Sequence, residues 1–350
     1  MSPARSIYPL SGDTVVARRF TSLIDAFNGR RVVVLGDIIA DEFIYGDLSR
    51  VSREAPVLIL KYDSTQIIPG GAGNAANNVG ALGGRANLVG IIGREESSRR
   101  LRSHLNRRVE TKSLVRPAGY RTPRKTRILA GGIHSARQQI VRIDRDSSAI
   151  DQKSLQAFEH SALKAVDSCD AVLVSDYGSG LVSPGLVERI KRRVSRFSRR
   201  RSIPILVDSR YDLLRYRGLR ACTPNESEVE RMLDVKIGDN LVTLERAGRA
   251  ILKRTGMSAV LVTRGSRGMA LFEPAKRTQL IPIAGSDEVA DVTGAGDTVI
   301  ATVTLALAAG ASFFEAAKLA NYAAGLVVMK RGTATVDAEE LQKLVLNNEP

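Results

Sequence analysis

The chain has 350 residues, 43% hydrophobic and 25% charged, with 52 Lys and Arg against 37 Asp and Glu and a net charge of +15. That apolar content is ample for a large core, which excludes disorder as the main description, and no run approaches about 18 uninterrupted apolar residues, which excludes a spanning helix. Cys169 and Cys222 are too few for a disulfide framework or a thiolate metal centre, and with no Trp there are few platforms on which nucleic-acid bases could stack.

The positive charge therefore suits an anionic small substrate better than nucleic acid or a membrane, and most of it reads as solvated surface. Residues 1–12 lack the apolar middle of a signal peptide and are expected to be a flexible N-terminus, so the chain reads as soluble and cytoplasmic. Arg31–Gly36 (RVVVLG) opens a series of continuous apolar runs, followed by Ala171–Ser175, Ile203–Val207 and Ala259–Val262. Such runs mark strands buried on both faces. Amphipathic helices are predicted between them over Asp151–Asp167, Ser183–Phe197 and Leu241–Thr255, the second opened by Ser183 as N-cap and Pro184 at the first helical position. Alternating strands and helices predict an α/β fold, an open and mostly parallel sheet flanked by helices.

Two segments, about 43–68 and 122–143, carry β-branched residues without a helical period and are expected to leave the main sheet as a small β lid. No linker or repeat divides the chain, so 1–350 reads as a single domain. Arg99, Arg100, Arg102, Arg107 and Arg108 form a basic helical patch, read as a solvated face. His104, His134 and His160 lie far apart, and no His metal site is expected.

Three polar motifs interrupt this frame. Pro69–Asn78 (PGGAGNAANN) opens a helix ending near Leu82; small residues there serve either close helix packing or a polyol site. No buried strand is expected directly before it, which argues against a dinucleotide fingerprint. Thr223–Glu228 (TPNESE) places Asn225 three residues before Glu228, a spacing that fits a capping box or a site for hydrated Mg²⁺. Asp291–Thr298 (DVTGAGDT) precedes an apolar helix. Gly294 and Gly296 let backbone N–H groups approach an anion, and the helix N-terminus adds its dipole. Asp297 falls in the first turn, where the dipole is expected to favour its ionised form. It is then either a capping acid or a base that takes a proton from an alcohol attacking a phosphoryl group. The Gly-Lys-Ser/Thr of a P-loop is missing.

Taken together, GGAGNAA, NESE and DVTGAGDT resemble the signatures of the ribokinase (PfkB) family of sugar kinases, in order over roughly Arg31–Asp337. Within it the chain is most similar to the heptose 7-phosphate kinases, through Gly36–Asp41, Tyr45–Ser52, Glu54–Val57, Arg137–Gln139 with Arg142–Asp144, Ser175–Gly178 and Asp291–Ile300. The resemblance implies a ribokinase-like fold with a lid that clasps a second subunit as a homodimer. It implies ATP and Mg²⁺, with room for a monovalent cation such as K⁺, and a sugar or sugar phosphate as partner. D-glycero-β-D-manno-heptose 7-phosphate, phosphorylated at O1, is the first expectation; other PfkB substrates are the alternative, and a basic nucleic-acid binder is the alternative outside the class.

The implied catalytic residues are Asp297 as base with Gly294, Ala295 and Gly296 as N–H donors. Asp37, Asp41, Gly70, Gly71, Asn74 and Arg137 would bind the sugar. Asn225, Glu228, Thr263, Gly265 and Gly268 would bind the nucleotide, Glu228 also holding Mg²⁺ through water. Ser179 and Asp208-Ser209-Arg210 depart from the heptose kinases, which usually carry Lys at the first place and Asp-Pro-Lys at the second; Arg124, Lys125, Arg127 or Arg137 could supply the missing charge. A nucleotidyltransferase H-x-G-H signature does not follow residue 337, so a stand-alone kinase is expected.

Overall fold

The apolar runs pair with one another as strands of one sheet. β1 (Arg31–Gly36) lies between β4 (Arg85–Val89) and β8 (Ala171–Asp176), and β9 (Ile205–Ser209), β10 (Ala221–Cys222) and β11 (Ala259–Thr263) continue beyond β8 in the same direction. β5 (Val109–Glu110) adds a parallel edge, while β12 (Met269–Phe272) and β13 (Gln279–Ile281) run antiparallel at the other. The order is β13-β12-β11-β10-β9-β8-β1-β4-β5. The computed structural model describes residues 13–131, 137–197, 202–284, 291–330 and 332–349.

Alternation along each strand feeds two cores. Val32, Val34 and Leu173 pack on one face; Val33, Leu35, Val172 and Val174 pack on the other. Because helices cover both faces, both sets are apolar, which is why these strands read as unbroken runs. The helices Gln152–Ala165, Pro184–Phe197 and Leu241–Thr255 cover the second core. Their starts are chemical: Asp151 accepts from the Ser154 N–H, and Ser183 Oγ accepts from the Leu186 N–H at 3.1 Å. The first of these helices stops at Ala165 and tightens into a 3₁₀ turn at Val166–Ser168, two residues short of the predicted end at Asp167.

The two non-periodic segments form a separate sheet. β2 (Ile38–Val51), β3 (Leu58–Gly71), β6 (Arg124–Gly131) and β7 (Gln138–Arg145) pair in the order β3-β2-β6-β7. β2 leaves β1 after a single residue, Asp37, so the lid springs from the middle of the main sheet. β3 corrects one expectation. Its outer half is exposed, but Ile67–Gly71 is buried and runs straight into the helix Ala72–Ala81. A buried strand does precede the Gly-rich motif; it is hidden in the sequence because the strand changes surroundings halfway along.

The basic patch is also only partly helical. The helix Glu96–Ser103 ends before Arg107 and Arg108, and Arg108 folds back onto Asn28 Oδ1 and the Gly83 carbonyl. Residues 1–12, His134 within 132–136, and Arg199, Arg200 and Arg201 lie outside the described residues. Among the described residues no helix is long and apolar enough to cross a membrane.

Candidate active site

The carboxyl ends of the parallel strands converge on one place. Asp37 follows β1, Asp176 ends β8 and Tyr177 follows it, Asp208 lies near the end of β9, and Thr223 and Thr263 lie at the ends of β10 and β11. Ligands of open α/β sheets bind at such an edge. Here the edge faces the N-terminus of the helix Ala295–Ala308, buried almost all round, with Thr302 and Thr304 returning their hydroxyls to the carbonyls four residues back.

Gly294 caps that helix at φ 82°. A Cβ there would stand 2.6 Å from Asn74 Nδ2 and 2.9 Å from Thr333 Cγ2, so glycine is required by conformation and by space. At Gly296 a Cβ would meet nothing within 4 Å, and the residue borders two cavities, so its bare Cα opens onto ligand space. Asp297 is only 4% exposed. Its Oδ2 accepts from Asn74 Nδ2 at 2.8 Å and its Oδ1 from the Tyr177 hydroxyl at 3.2 Å. Asn74 is held in turn by Asn78, whose Oδ1 accepts from Thr298 Oγ1 at 2.9 Å. Asn74, expected on the sugar, thus turns its amide onto Asp297.

Burial pushes the Asp297 carboxyl up to about 7, against the pull of the Asn74 donor; the nearby Asp41 charge raises it further. This reverses the expectation from the helix dipole. The dipole is worth at most about 2 kcal/mol in a favourable partly buried setting, and loss of water around the carboxylate outweighs it.

The lid roofs this carboxylate. Asp41 Oδ1 accepts from Arg127 Nη1 at 2.5 Å, and Arg127 lies over the Phe43 ring at 5.2 Å. A Cβ on Gly70 would stand 2.1 Å from Asp41 Oδ2, so this glycine makes room for the acid. Lys125 Nζ sits over the Tyr177 ring at 5.1 Å; burial lowers its proton affinity, with Asp41 opposing and Arg210 reinforcing the drop. The β6–β7 register sets Lys125 opposite Asp144 and Arg127 opposite Arg142, so these four share one face. Arg142 pairs with Asp144 at 2.5 Å.

Of the four lid cations named from sequence, Lys125 and Arg127 reach this site. Arg124 faces the other way, onto Glu42, and Arg137 lies farther out, against Asp63 at 2.8 Å, Asp47 and the Tyr45 ring. Gly71 abuts the Asp37 carbonyl, where a Cβ would come within 2.4 Å. Asp37 Oδ2 accepts from the backbone N–H groups of Tyr177 and Ser179, and its Oδ1 accepts the Ser179 hydroxyl. Burial raises its proton affinity and these donors oppose that.

On the opposite side a cavity of about 440 Å³ is bordered by Asn225, Thr263, Gly265, Gly268, Ala295 and Gly296. It adjoins a smaller one of about 210 Å³ between Asp208, Arg210, Glu228, Gly294 and Asp297. Asn225 and Glu228 do form the capping box, Asn225 Oδ1 accepting from the Glu228 N–H at 2.8 Å and Glu228 Oε2 from the Asn225 N–H at 3.0 Å. Glu228 nevertheless borders the smaller cavity, and burial lifts its proton affinity. Asp208 is raised further by burial, then by the charges of Glu228 and Asp297. Tyr177 and Arg142 lie in segments that carry the family resemblance and Asp208 in one that departs from it, but none of the three is assigned a role from sequence; for Tyr177 and Asp208 a further signal was their place at the end of an apolar run.

The family model described as pfkB family carbohydrate kinase matches residues 30–340. The chain is 39% identical over 330 residues to a protein of Desulfatibacillum aliphaticivorans named bifunctional protein HldE, and 40% identical over 319 residues to its namesake in Caulobacter sp. strain K31. These alignments take in 93% and 90% of this chain, but 65% and 63% of those relatives, so the chain spans less than two thirds of their length. Among solved structures, Escherichia coli phosphofructokinase-2 in complex with substrates and products superposes with a TM-score of 0.74 at 17% identity, over 92% of this chain and 100% of that one. Arabidopsis thaliana ribokinase complexed with ribose and ATP superposes at 0.69 and 20% identity, over 91% and 99%. Those two show the shared ribokinase-like fold. By the family match over almost its whole length, the chain belongs to the pfkB carbohydrate kinases.

Proposed function

We propose that the protein is an ATP-dependent sugar kinase, that its acceptor is a sugar phosphate, D-glycero-β-D-manno-heptose 7-phosphate, and that it phosphorylates O1 to give the 1,7-bisphosphate. The observation that carries this reading is Asp297, a buried carboxylate at a helix N-terminus, with a nucleotide-sized cavity on one side and the cationic face of the lid on the other. Asp297 takes the proton of the acceptor hydroxyl, that oxygen forms its bond to the γ-phosphorus in line, and the bond to the β,γ-bridging oxygen breaks to release ADP. The N–H groups of Gly294, Ala295 and Gly296 meet the charge on the transferred group. Thr263, Gly265 and Gly268 border the cavity of about 440 Å³ and would line the nucleotide there.

The donor set fits a hydrated Mg²⁺. Glu228 and Asp208 are hard oxygen ligands, close enough that the Glu228 charge raises Asp208, while among the described residues no three His, Cys, Asp or Glu converge as direct ligands. Glu228 would hold the ion through water, and the ion supplies charge neutralisation on the phosphates. The acceptor's own phosphate is met by Lys125, Arg127, Arg142 and Arg210, which answers the departures at Ser179 and Arg210. Residues 1–350 act as a single kinase domain in the cytoplasm. The lid exposes Leu48, Val51, Leu58, Tyr62, Val141 and Ile143, which supports a homodimer through the lid.

A sugar panel with ATP consumption as readout tests the substrate: turnover requires a heptose carrying a 7-phosphate, and equal turnover of fructose or ribose overturns the assignment. Asp297→Asn tests the base. It is expected to lose about a thousandfold in kcat while still binding ATP, and full activity would refute the mechanism.

A further inference from the structure

Asp297 is gripped by two neutral donors from distant parts of the chain. Asn74 lies in the Gly-rich segment; Tyr177 is the residue that follows β8. Three observations set Tyr177 apart. Its backbone N–H donates to Asp37 Oδ2 at 2.7 Å, so a buried carboxylate fixes its place in the loop. Its hydroxyl meets Asp297 Oδ1 at 3.2 Å, and its phenol stays protonated because burial and the charges of Asp297, Asp208 and Asp41 all oppose ionisation, so it acts only as donor. Its ring lies under Lys125 Nζ at 5.1 Å, and Lys125 lies on β6 of the lid.

We propose that Tyr177 is the positioning residue for the base: clamped by Asp37 and capped by Lys125, it fixes the plane of the Asp297 carboxylate and makes the lid part of the proton-transfer apparatus. A cation over the ring face draws density from the phenol and makes its O–H a stronger donor. The lid strand that contacts the acceptor thereby also strengthens the grip on the base. Other groups act on Asp297 as well. Asn74 donates from the helix Ala72–Ala81, Asp41 repels from β2, Lys125 attracts from β6, and Asp176, Asp208, Arg210 and Glu228 border the same small cavity. Tyr177 joins the floor, the base and the lid.

The proposal rests on Asp297 being the base, and its test separates the two. Tyr177→Phe differs by one oxygen and keeps the backbone bond to Asp37 and the ring under Lys125. In the full-length enzyme with Mg²⁺ and ATP, kcat at pH 7 is expected to fall about tenfold, with the KM for ATP unchanged within about twofold. The acid limb of kcat/KM is expected to move up by roughly half to one pH unit, so that the deficit narrows towards pH 9. Damage to packing alone would lower the rate equally at every pH, and that result, or an unmoved limb, overturns the proposal. Lys125→Met is expected to move the limb by less in the Tyr177→Phe background than in the native one; equal movement in both would show that Lys125 acts on Asp297 without Tyr177 and would remove the lid from the proposal. If Asp297→Asn keeps its activity the base reading fails; if it is dead while the Tyr177→Phe limb stays put, only the role of Tyr177 fails.

Discussion

Arg127→Met removes one half of an ion pair that water barely reaches. The Arg127 and Asp41 side chains are 12% and 9% exposed and their charged atoms are 2.5 Å apart. Breaking such a pair by deleting one partner costs about 3–5 kcal/mol, because the remaining charge is stranded. Loss of the guanidinium over the Phe43 ring, 5.2 Å away, adds about 1 kcal/mol. The methionine stem recovers part of the packing, so a net loss of about 3 kcal/mol in unfolding free energy is expected at neutral pH, measured by urea denaturation. Asp41→Asn combined with Arg127→Met leaves no orphaned charge and is expected to regain most of it, to within about 1–2 kcal/mol of the native protein. The same single variant should raise the KM for the acceptor while leaving the KM for ATP unchanged, since Arg127 lies on the lid side. A single-variant cost below about 1 kcal/mol, or a double variant whose cost is the simple sum, would refute the view that this pair stands or falls together.

Other outcomes follow from the site. Asp297 must be ionised to accept a proton, and its carboxyl sits at about 7, so kcat/KM should fall as pH drops below about 7 and level off above it; a rate flat down to pH 5 would contradict the assignment. The same shift has a sign for stability. A carboxyl whose folded value lies above its unfolded one favours folding only when protonated, and its ionised form costs stability as pH rises through about 7. Asp297→Asn should therefore melt higher than the native protein at pH 8, with an upper bound of about 4 kcal/mol, and the gain should shrink towards pH 5. A gain independent of pH in differential scanning calorimetry would argue against a buried charge. Gly294→Ala forces a Cβ against Asn74 at a left-handed φ, and should cost about 2–3 kcal/mol in stability together with most of the activity. Val51→Asp on the lid should turn a dimer into a monomer by light scattering without loss of helix content.

Local motifs made much of the site readable in advance. Gly294–Asp297 declares itself because a Gly-rich turn, an acid and an apolar helix occur within a few residues. Asn225 and Glu228 carried two readings, and the structure supports the capping one directly while leaving Glu228 at the cavity. What stayed hidden is what the fold brings together. Asn74 meets Asp297 across 223 positions, and Tyr177 meets it across 120. No local pattern encodes a hydrogen bond of that reach. The main strands were legible because burial on both faces writes an apolar run, whereas β4 and β12, five and four residues long, are too short to stand out. The dipole at Asp297 misled because a sequence shows the charge of a helix end but not how much water it loses.

β2 leaves β1 after Asp37, and the residues proposed to touch the acceptor lie on β2, β3, β6 and β7 or at their feet, apart from Arg210 and Asp297, while the cavity proposed for the nucleotide is bordered only by residues from Asn225 onward. On the proposed function the polypeptide is thus split for the most part in its order as well as in space: the first 145 residues would supply most contacts to the acceptor, and the last 130 or so would handle the phosphoryl donor. Acceptor preference can drift through changes in the earlier stretch without disturbing the later one, and chimaeras joined between β7 and β8 should inherit their sugar from the N-terminal parent.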